Sequence, residues 1–219
     1  MKGFRPSVEV IAQIYEIGIP SIVMQAISSV MTFGMNKILF VFTPTATAVF
    51  GAYFKIQSFV FMPIFGLNNG MVPIISYNYG AGLMRRGRKA LRMALGTAAL
   101  CGAAAFGFTW LCSPWIVGLF LTPDAPAYAI AVRGLPLFAA GYPFFGINVV
   151  TIGYYQSIER GRLATGLTVL RGIVLMAFCF LVLPRLAGVA GIWLAVPAAE
   201  LAVTLLLLVL LRIGYGMRR

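Results

Sequence analysis

Six long apolar stretches limit what this chain can fold into. They lie at about 17–42, 48–76, 90–121, 129–156, 164–184 and 188–211, separated by short segments with turn-forming or charged residues. A helix of about 20 apolar residues crosses the roughly 30 Å hydrocarbon core of a bilayer. Helices and closed barrels are the structures that satisfy their own backbone hydrogen bonds there. The sequence therefore predicts an all-α membrane protein, with residues 1–219 forming a single six-helix transmembrane lobe.

The composition supports a membrane protein and excludes other classes. The chain is 61% hydrophobic and 10% charged, whereas soluble domains average about 45–50% and about 25%. Nucleic-acid binding is rejected, because the basic residues cluster in short loops between apolar runs. The three cysteines lie in apolar runs and the chain has no histidine, so we predict no metal site, disulfide framework or cofactor. The apolar stretch after the basic start is too long for a signal peptide, and we expect no cleavage.

The basic residues predict the orientation of the lobe. One side of the predicted topology collects twelve of the seventeen: Lys2, Arg5, Arg85, Arg86, Arg88, Lys89, Arg92, Arg160, Arg162, Arg212, Arg218 and Arg219. The loops of the other side contain only Arg185. The positive-inside rule then places both termini in the cytoplasm of a multi-pass protein in the plasma membrane, which in bacteria is the inner membrane.

The second predicted span carries polar residues that are costly in lipid. Helical spacing from Lys55 gives one stripe of small or polar residues, and a second strip lies beside it. The first stripe is Lys55, Ser58, Met62, Gly66, Asn69, Pro73 and Ser76, and the second is Gln57, Phe61, Phe65 and Asn68. Two interpretations stay open, a transport pathway and polar packing between helices. Lys55 lies about two turns inside its span, where an ion-pair partner or a wet cavity is expected.

Glu200 is the one acidic residue at the predicted mid-membrane depth. Apolar residues flank it for several turns on both sides. Burial favours the protonated form of a carboxyl group, so coupling through reversible protonation is one interpretation. The other is a protonated glutamic acid that hydrogen-bonds a neighbouring helix. Arg171 lies about two turns from the cytoplasmic end of its span, and we expect its side chain to extend to that interface.

The second and fourth spans share a short motif. PIFGLN at residues 63–68 matches PFFGIN at residues 143–148, and the two predicted helices run in the same direction. Duplicated broken helices build the binding sites of many transporters. Pro63, Pro73, Pro143 and Pro197 are predicted kinks, where free carbonyl groups can line a cavity.

Several segments resemble the MATE family of multidrug and toxic compound extrusion transporters, and within it the MepA-like bacterial branch. The first two spans contain EIGIPSIVMQAISSVMTFGMNKILF and VFGAYFKIQSFVFMPIFGLNNGMVPIISYNYGAG. The fourth span continues into PFFGINVVTIGYYQSIERGR, and the last begins with GVAGIWLAVPAAE. The resemblance covers essentially the whole chain. It matches only the second of the two six-helix bundles that the family's twelve-helix transporters contain.

The resemblance implies a function and a set of site residues. Members of the family extrude cationic, often aromatic drugs by antiport with H⁺ or Na⁺, through a cleft between two lobes. The expected partners are membrane lipid, small cationic amphipathic drugs, and an N-terminal six-helix lobe or a second copy of this chain. The predicted pathway residues are Gln25, Asn36, Lys55, Gln57, Asn68, Asn69, Asn148 and Glu200. Phe54, Phe61, Met62 and Phe65 suit flat hydrophobic cations.

Other functions were weighed against drug efflux. One alternative is a flippase-like relative that moves lipid-linked cargo, and another is a truncated, non-transporting membrane remnant or partner lobe. An intramembrane enzyme is rejected, because the chain has no histidine and no HExxH or GxSxG motif.

Overall fold

The computed structural model describes residues 44–212, together with the isolated positions Val8, Ile11 and Phe33. Apart from Phe33, the predicted first span at 17–42, and with it Gln25 and Asn36, therefore lies outside the described residues. In the described part the chain is helical almost throughout. The helices are α1 Pro44–Gly80, α2 Met84–Leu111, α3 Ser113–Gly118, α4 Pro126–Ala139, α5 Tyr142–Ser157, α6 Gly161–Val169 and α7 Met176–Arg212, with a π-helical turn at Leu170–Leu175 between the last two.

Three helical segments are long and apolar enough to cross a membrane: Val49–Gly80, Met84–Leu111 and Gly161–Arg212. The pair α4 and α5, which meet at a bend of 40°, is long and apolar enough for a fourth crossing if the two helices form one span. Pro143 stands in the first turn of α5, where its ring prevents the preceding helix from continuing. The predicted kink at Pro143 is confirmed, whereas α1 continues as one helix through Pro63 and Pro73.

The segment Gly161–Arg212 contains 52 residues but does not run straight. Gly188 has φ 59° and ψ −138°, a conformation outside the helical region that glycine adopts without the steric penalty of a Cβ atom. The chain folds back there, so that Gly191 packs against the backbone of Leu183 and Pro184. We call residues 176–187 and 189–212 the first and second limbs of α7. The reversal divides this segment into two arms, and the six spans predicted from the sequence remain a prediction.

Eight of the twelve basic residues between positions 44 and 212 lie at one end of the lobe. The helix ends at the turn between α1 and α2, at the turn between α5 and α6, and at the end of α7 share one apolar cluster, which places them all at that end. They carry Arg85, Arg86, Arg88, Lys89, Arg92, Arg160, Arg162 and Arg212. The reversal at Gly188 and the loop before α4 lie at the opposite end. The predicted orientation rests on this unequal distribution of basic residues between the two ends. A cytoplasmic location for the basic end remains a prediction.

Two large apolar core clusters and a small third one, of Ile64, Phe145 and Val149, pack within the described part of the chain. The first contains Tyr53, Phe138, Tyr142 and Trp193. The second contains Ile75, Tyr155 and Leu207, among others. Along α5 and along the second limb of α7, the chain passes from one cluster to the other within a few residues. Asn148 and Glu200 occupy those junctions, so a polar layer separates the two halves of the core.

Candidate functional site

An ion pair between Arg171 and Glu200 forms the centre of the polar layer. Arg171 Nη2 lies 2.8 Å from Glu200 Oε1, and the two side chains are 15% and 4% exposed. Arg171 Nε also donates hydrogen bonds of 2.9 Å to both carboxylate oxygens of Glu200. This double contact is the geometry in which a guanidinium binds a carboxylate most strongly. The pair joins the π-helical turn to the second limb of α7.

Asn148 of α5 extends the layer to a third helix. Its Nδ2 atom donates to Glu200 Oε2 at 2.7 Å and to the Glu200 carbonyl oxygen at 2.9 Å. The Thr204 hydroxyl lies 2.9 Å from Asn148 Oδ1 and also 2.9 Å from that carbonyl oxygen. Both are acceptors, so the single hydroxyl proton serves one of them at a time. Asn148, Glu200 and Thr204 are all buried.

Arg171 lies within the π-helical turn Leu170–Leu175. Turns of this type are rare and occur frequently at functional sites. They weaken the regular backbone ladder, because each N–H reaches one residue further back than in an α-helix. Arg171, which pairs with the buried acid, therefore lies in an irregular helical turn.

An aromatic cluster connects the ion pair to the exposed face of α1. The guanidinium carbon of Arg171 lies 4.5 Å from the ring centre of Phe145. Phe61 stacks on Phe145, and Phe65 meets it edge-on with ring centres 5.8 Å apart. Phe145 is buried, whereas Phe65 is 48% exposed. A continuous series of contacts thus runs from Glu200 through Arg171 and Phe145 to the surface.

The structure brings together two of the predicted pathway residues, Asn148 and Glu200. Lys55 and Asn69 are exposed on α1, while Gln57 and Asn68 are half-buried. None of these four reaches the Glu200 carboxylate within the part of the chain that the structure describes. The expected partner for Lys55 is likewise absent among the described residues. Whether these α1 residues line a pathway remains a prediction.

Asn68 forms a close contact between α1 and α5. Its side chain packs directly on Gly153, where a Cβ atom would overlap the amide. The Asn68 Oδ1 atom is buried and has no hydrogen-bond partner among the described residues. An amide in this position is more costly than an apolar side chain of the same size unless a donor reaches it.

Two expectations from the sequence need correction. Arg171 does not extend to the interface, because its guanidinium turns inward and its charge is balanced by Glu200. Glu200 does bond a neighbouring helix, through Asn148, but a cation also contacts it. Sequence reasoning missed Arg171 and Thr204 as members of the site. One signal was present, since an acid and a base at similar depth in consecutive spans of a hairpin are expected to pair.

The fold and the site define a multi-pass helical membrane protein with a charged layer buried inside one lobe. This chain belongs to the MatE family, whose sequence model matches residues 20–181, and family members are transporters rather than enzymes. The multidrug export protein MepA of Staphylococcus aureus (strain NCTC 8325 / PS 47) is 30% identical over 203 residues, covering 91% of this chain and 44% of MepA. The MepA of Staphylococcus saprophyticus is 27% identical over 196 residues and is covered to 43%.

Solved structures agree with this fold. An inward-facing multidrug resistance MATE transporter of the MOP superfamily superposes with a TM-score of 0.87, at 21% identity and covering 96% of this chain and 49% of its own. An outward-facing conformation gives 0.85, at 20% identity with 97% and 48% covered. The chain thus spans about half the length of the relatives that it matches.

Proposed function

We propose that this chain acts as the C-terminal lobe of a multidrug efflux transporter that exchanges cationic drugs for protons. Family membership and the likeness to the MepA multidrug export proteins support efflux. The proposed partner is an N-terminal six-helix lobe, or a second copy of this chain in the same orientation. Coverage of about half of each relative supports the need for such a partner.

The observation that carries this proposal is the buried carboxylate at the centre of the polar layer. Glu200 lies 2.8 Å from a guanidinium, inside an apolar lobe, and at a junction between three helical segments. Ionisable groups inside membrane spans commonly form proton relays and ion pathways. A proton needs one carboxylate oxygen, whereas Na⁺ needs several oxygen ligands and would lie against the Arg171 charge. The geometry therefore favours the proton over sodium as the coupling ion.

The proposed coupling step follows from charge balance. With Glu200 ionised, the Arg171–Glu200 pair has no net charge. A proton that binds to the carboxylate leaves Arg171 with an unbalanced positive charge and weakens the tie between the π-helical turn and α7. The unbalanced charge repels a cationic drug, and loss of the proton removes that repulsion. Proton and drug thus occupy the lobe in turn, which is the requirement for antiport.

The exposed aromatic face of α1 is the proposed drug-binding wall of this lobe. Phe54, Met62 and Phe65 are all more than 40% exposed there, and Phe65 contacts the ring beneath Arg171. Aromatic faces attract a desolvated cation by about 0.5–2 kcal/mol. Lys55 on the same helix disfavours a cation in its vicinity unless an acid of the partner lobe balances its charge.

The test compares Glu200→Gln with the native protein in everted membrane vesicles. We expect proton-gradient-dependent uptake of a fluorescent organic cation to fall at least about tenfold, because glutamine cannot bind and release a proton. Glu159→Gln provides the matched control, since Glu159 is exposed in the turn before α6 and its loss should leave uptake unchanged. Unaltered gradient dependence in Glu200→Gln would refute the coupling role. Absence of uptake by the native protein would instead refute efflux itself.

A further inference from the structure

A cluster of positive charge occupies one face of α2 where that helix leaves the apolar zone. Arg85, Arg88, Lys89 and Arg92 follow the spacing i, i+3, i+4 and i+7, so their side chains share one face. Together with Met93 they line an open depression of about 520 Å³. We call these five residues the basic groove. Among the described residues, none of its four basic side chains has an ion-pair partner.

The basic groove continues into an exposed apolar face of α2. Met93 and Leu100 lie further along the same face and are 63% and 71% exposed. Tyr77, near the end of α1, is 75% exposed, and tyrosine is enriched where membrane helices meet the headgroup region. The four charges therefore lie at headgroup depth, and the apolar side chains below them lie at the depth of the acyl chains.

The positive charges of the groove would be stabilised by a bound anion. They repel one another across single helical turns, and they stand in the first turns of a helix, where the macrodipole favours negative charge. No acidic residue lies in the first turn of α2. A ligand with a phosphate group and an attached apolar chain satisfies both parts of the surface.

We propose that the basic groove binds the headgroup of an anionic phospholipid of the adjacent leaflet. The phosphate lies among Arg88, Lys89 and Arg92, and the acyl chains follow Met93 and Leu100 along α2. This proposal does not depend on the transport mechanism. Clusters of four to eight basic residues next to a membrane span commonly recognise anionic lipid.

The test measures protection against thermal unfolding of the purified, full gene product in detergent. Phosphatidylglycerol is the probe, phosphatidylcholine the uncharged comparison, and inorganic phosphate the soluble one. We expect phosphatidylglycerol to raise the melting temperature of the native protein and the other two to have little effect. Removing Arg88 and Arg92 in Arg88→Gln/Arg92→Gln should weaken the apparent affinity for phosphatidylglycerol about 30-fold.

Two control variants separate a groove from general surface charge. Arg86→Gln/Arg162→Gln removes the same charge at the same end of the lobe, from exposed positions outside the groove, and should change the affinity by less than about twofold. Arg88→Lys/Arg92→Lys retains the charge and should retain most of the binding. Equal losses in both glutamine pairs, or no loss in either, would overturn the proposal. Equal protection by phosphatidylcholine or by inorganic phosphate would also overturn it.

Discussion

Arg171 and Glu200 are separated by 29 positions in sequence, yet their charged groups lie 2.8 Å apart. On an uninterrupted helix the same separation would exceed about 40 Å. The contact exists because the chain folds back at Gly188 and places the π-helical turn beside the second limb of α7. The pair thereby converts two isolated charges in a hydrophobic sequence into one neutral unit.

Arg171→Met should lower the free energy of unfolding by about 3–5 kcal/mol, because it leaves Glu200 buried without its cation. The double variant Arg171→Met/Glu200→Met removes both charges and should recover most of that loss. Thermal unfolding of the two single variants and the double variant in detergent gives the coupling energy between the residues. Simple addition of the single losses would show that the pair contributes no interaction energy.

Thr204→Val should destabilise the lobe by about 0.6–1.7 kcal/mol, because Asn148 Oδ1 loses its donor from another helix. Thr151→Val is the matched control. Thr151 is also buried, but its hydroxyl donates within its own helix, to the Ile147 carbonyl. Equal melting temperatures of the two variants would mean that the contact between α5 and α7 adds nothing.

Gly153→Ala should destabilise the lobe by about 1–3 kcal/mol, because the added methyl group would overlap the Asn68 amide and force α1 and α5 apart. Gly96→Ala makes the same change on α2, where nothing lies within 4 Å of the added atom. There the higher helix propensity of alanine should leave stability unchanged or increase it by up to about 1 kcal/mol. Melting temperatures of both variants test the difference, and a stable Gly153→Ala protein would contradict the close packing.

Asn69→Leu should impair drug efflux more than Asn69→Gln does. Asn69 is exposed on α1, so this expectation does not rest on a buried contact within the lobe. The proposed reason is that an exposed polar group on this helix contributes to the wall of a wet cleft. Efflux of a fluorescent cation from whole cells provides the measurement. Efflux at the native rate in both variants would place Asn69 against lipid.

The helical segments of the lobe could be predicted from local sequence, whereas the contacts between them could not. Apolar length predicted long helical segments, and Pro143 and the glycine turns predicted where helices break, because these features act over a few residues. Glu200 was recognisable from its depth alone. The pairing of Glu200 with Arg171 depends on how the two arms of the chain meet after the reversal at Gly188. From local sequence alone, the long arginine side chain could equally well have extended to the membrane interface.

The α1 residues show the same limit. Helical spacing correctly placed Asn68 and Asn69 on neighbouring strips of one helix. It could not tell which strip faces α5, because both contain polar side chains that can pack against another helix. The structure turns Asn68 towards Gly153 and leaves Asn69 exposed.

The reversal at Gly188 has a consequence for biogenesis. An arginine or a carboxylate at the centre of an isolated helix raises the free energy of insertion by about 2.5–3.5 kcal/mol. Residues 161–212 form a hairpin with a tight connection, so the entropy lost in bringing its two arms together is small. Arg171 and Glu200 can therefore meet while the hairpin leaves the translocon, and they partition into lipid as a mutually neutralised pair.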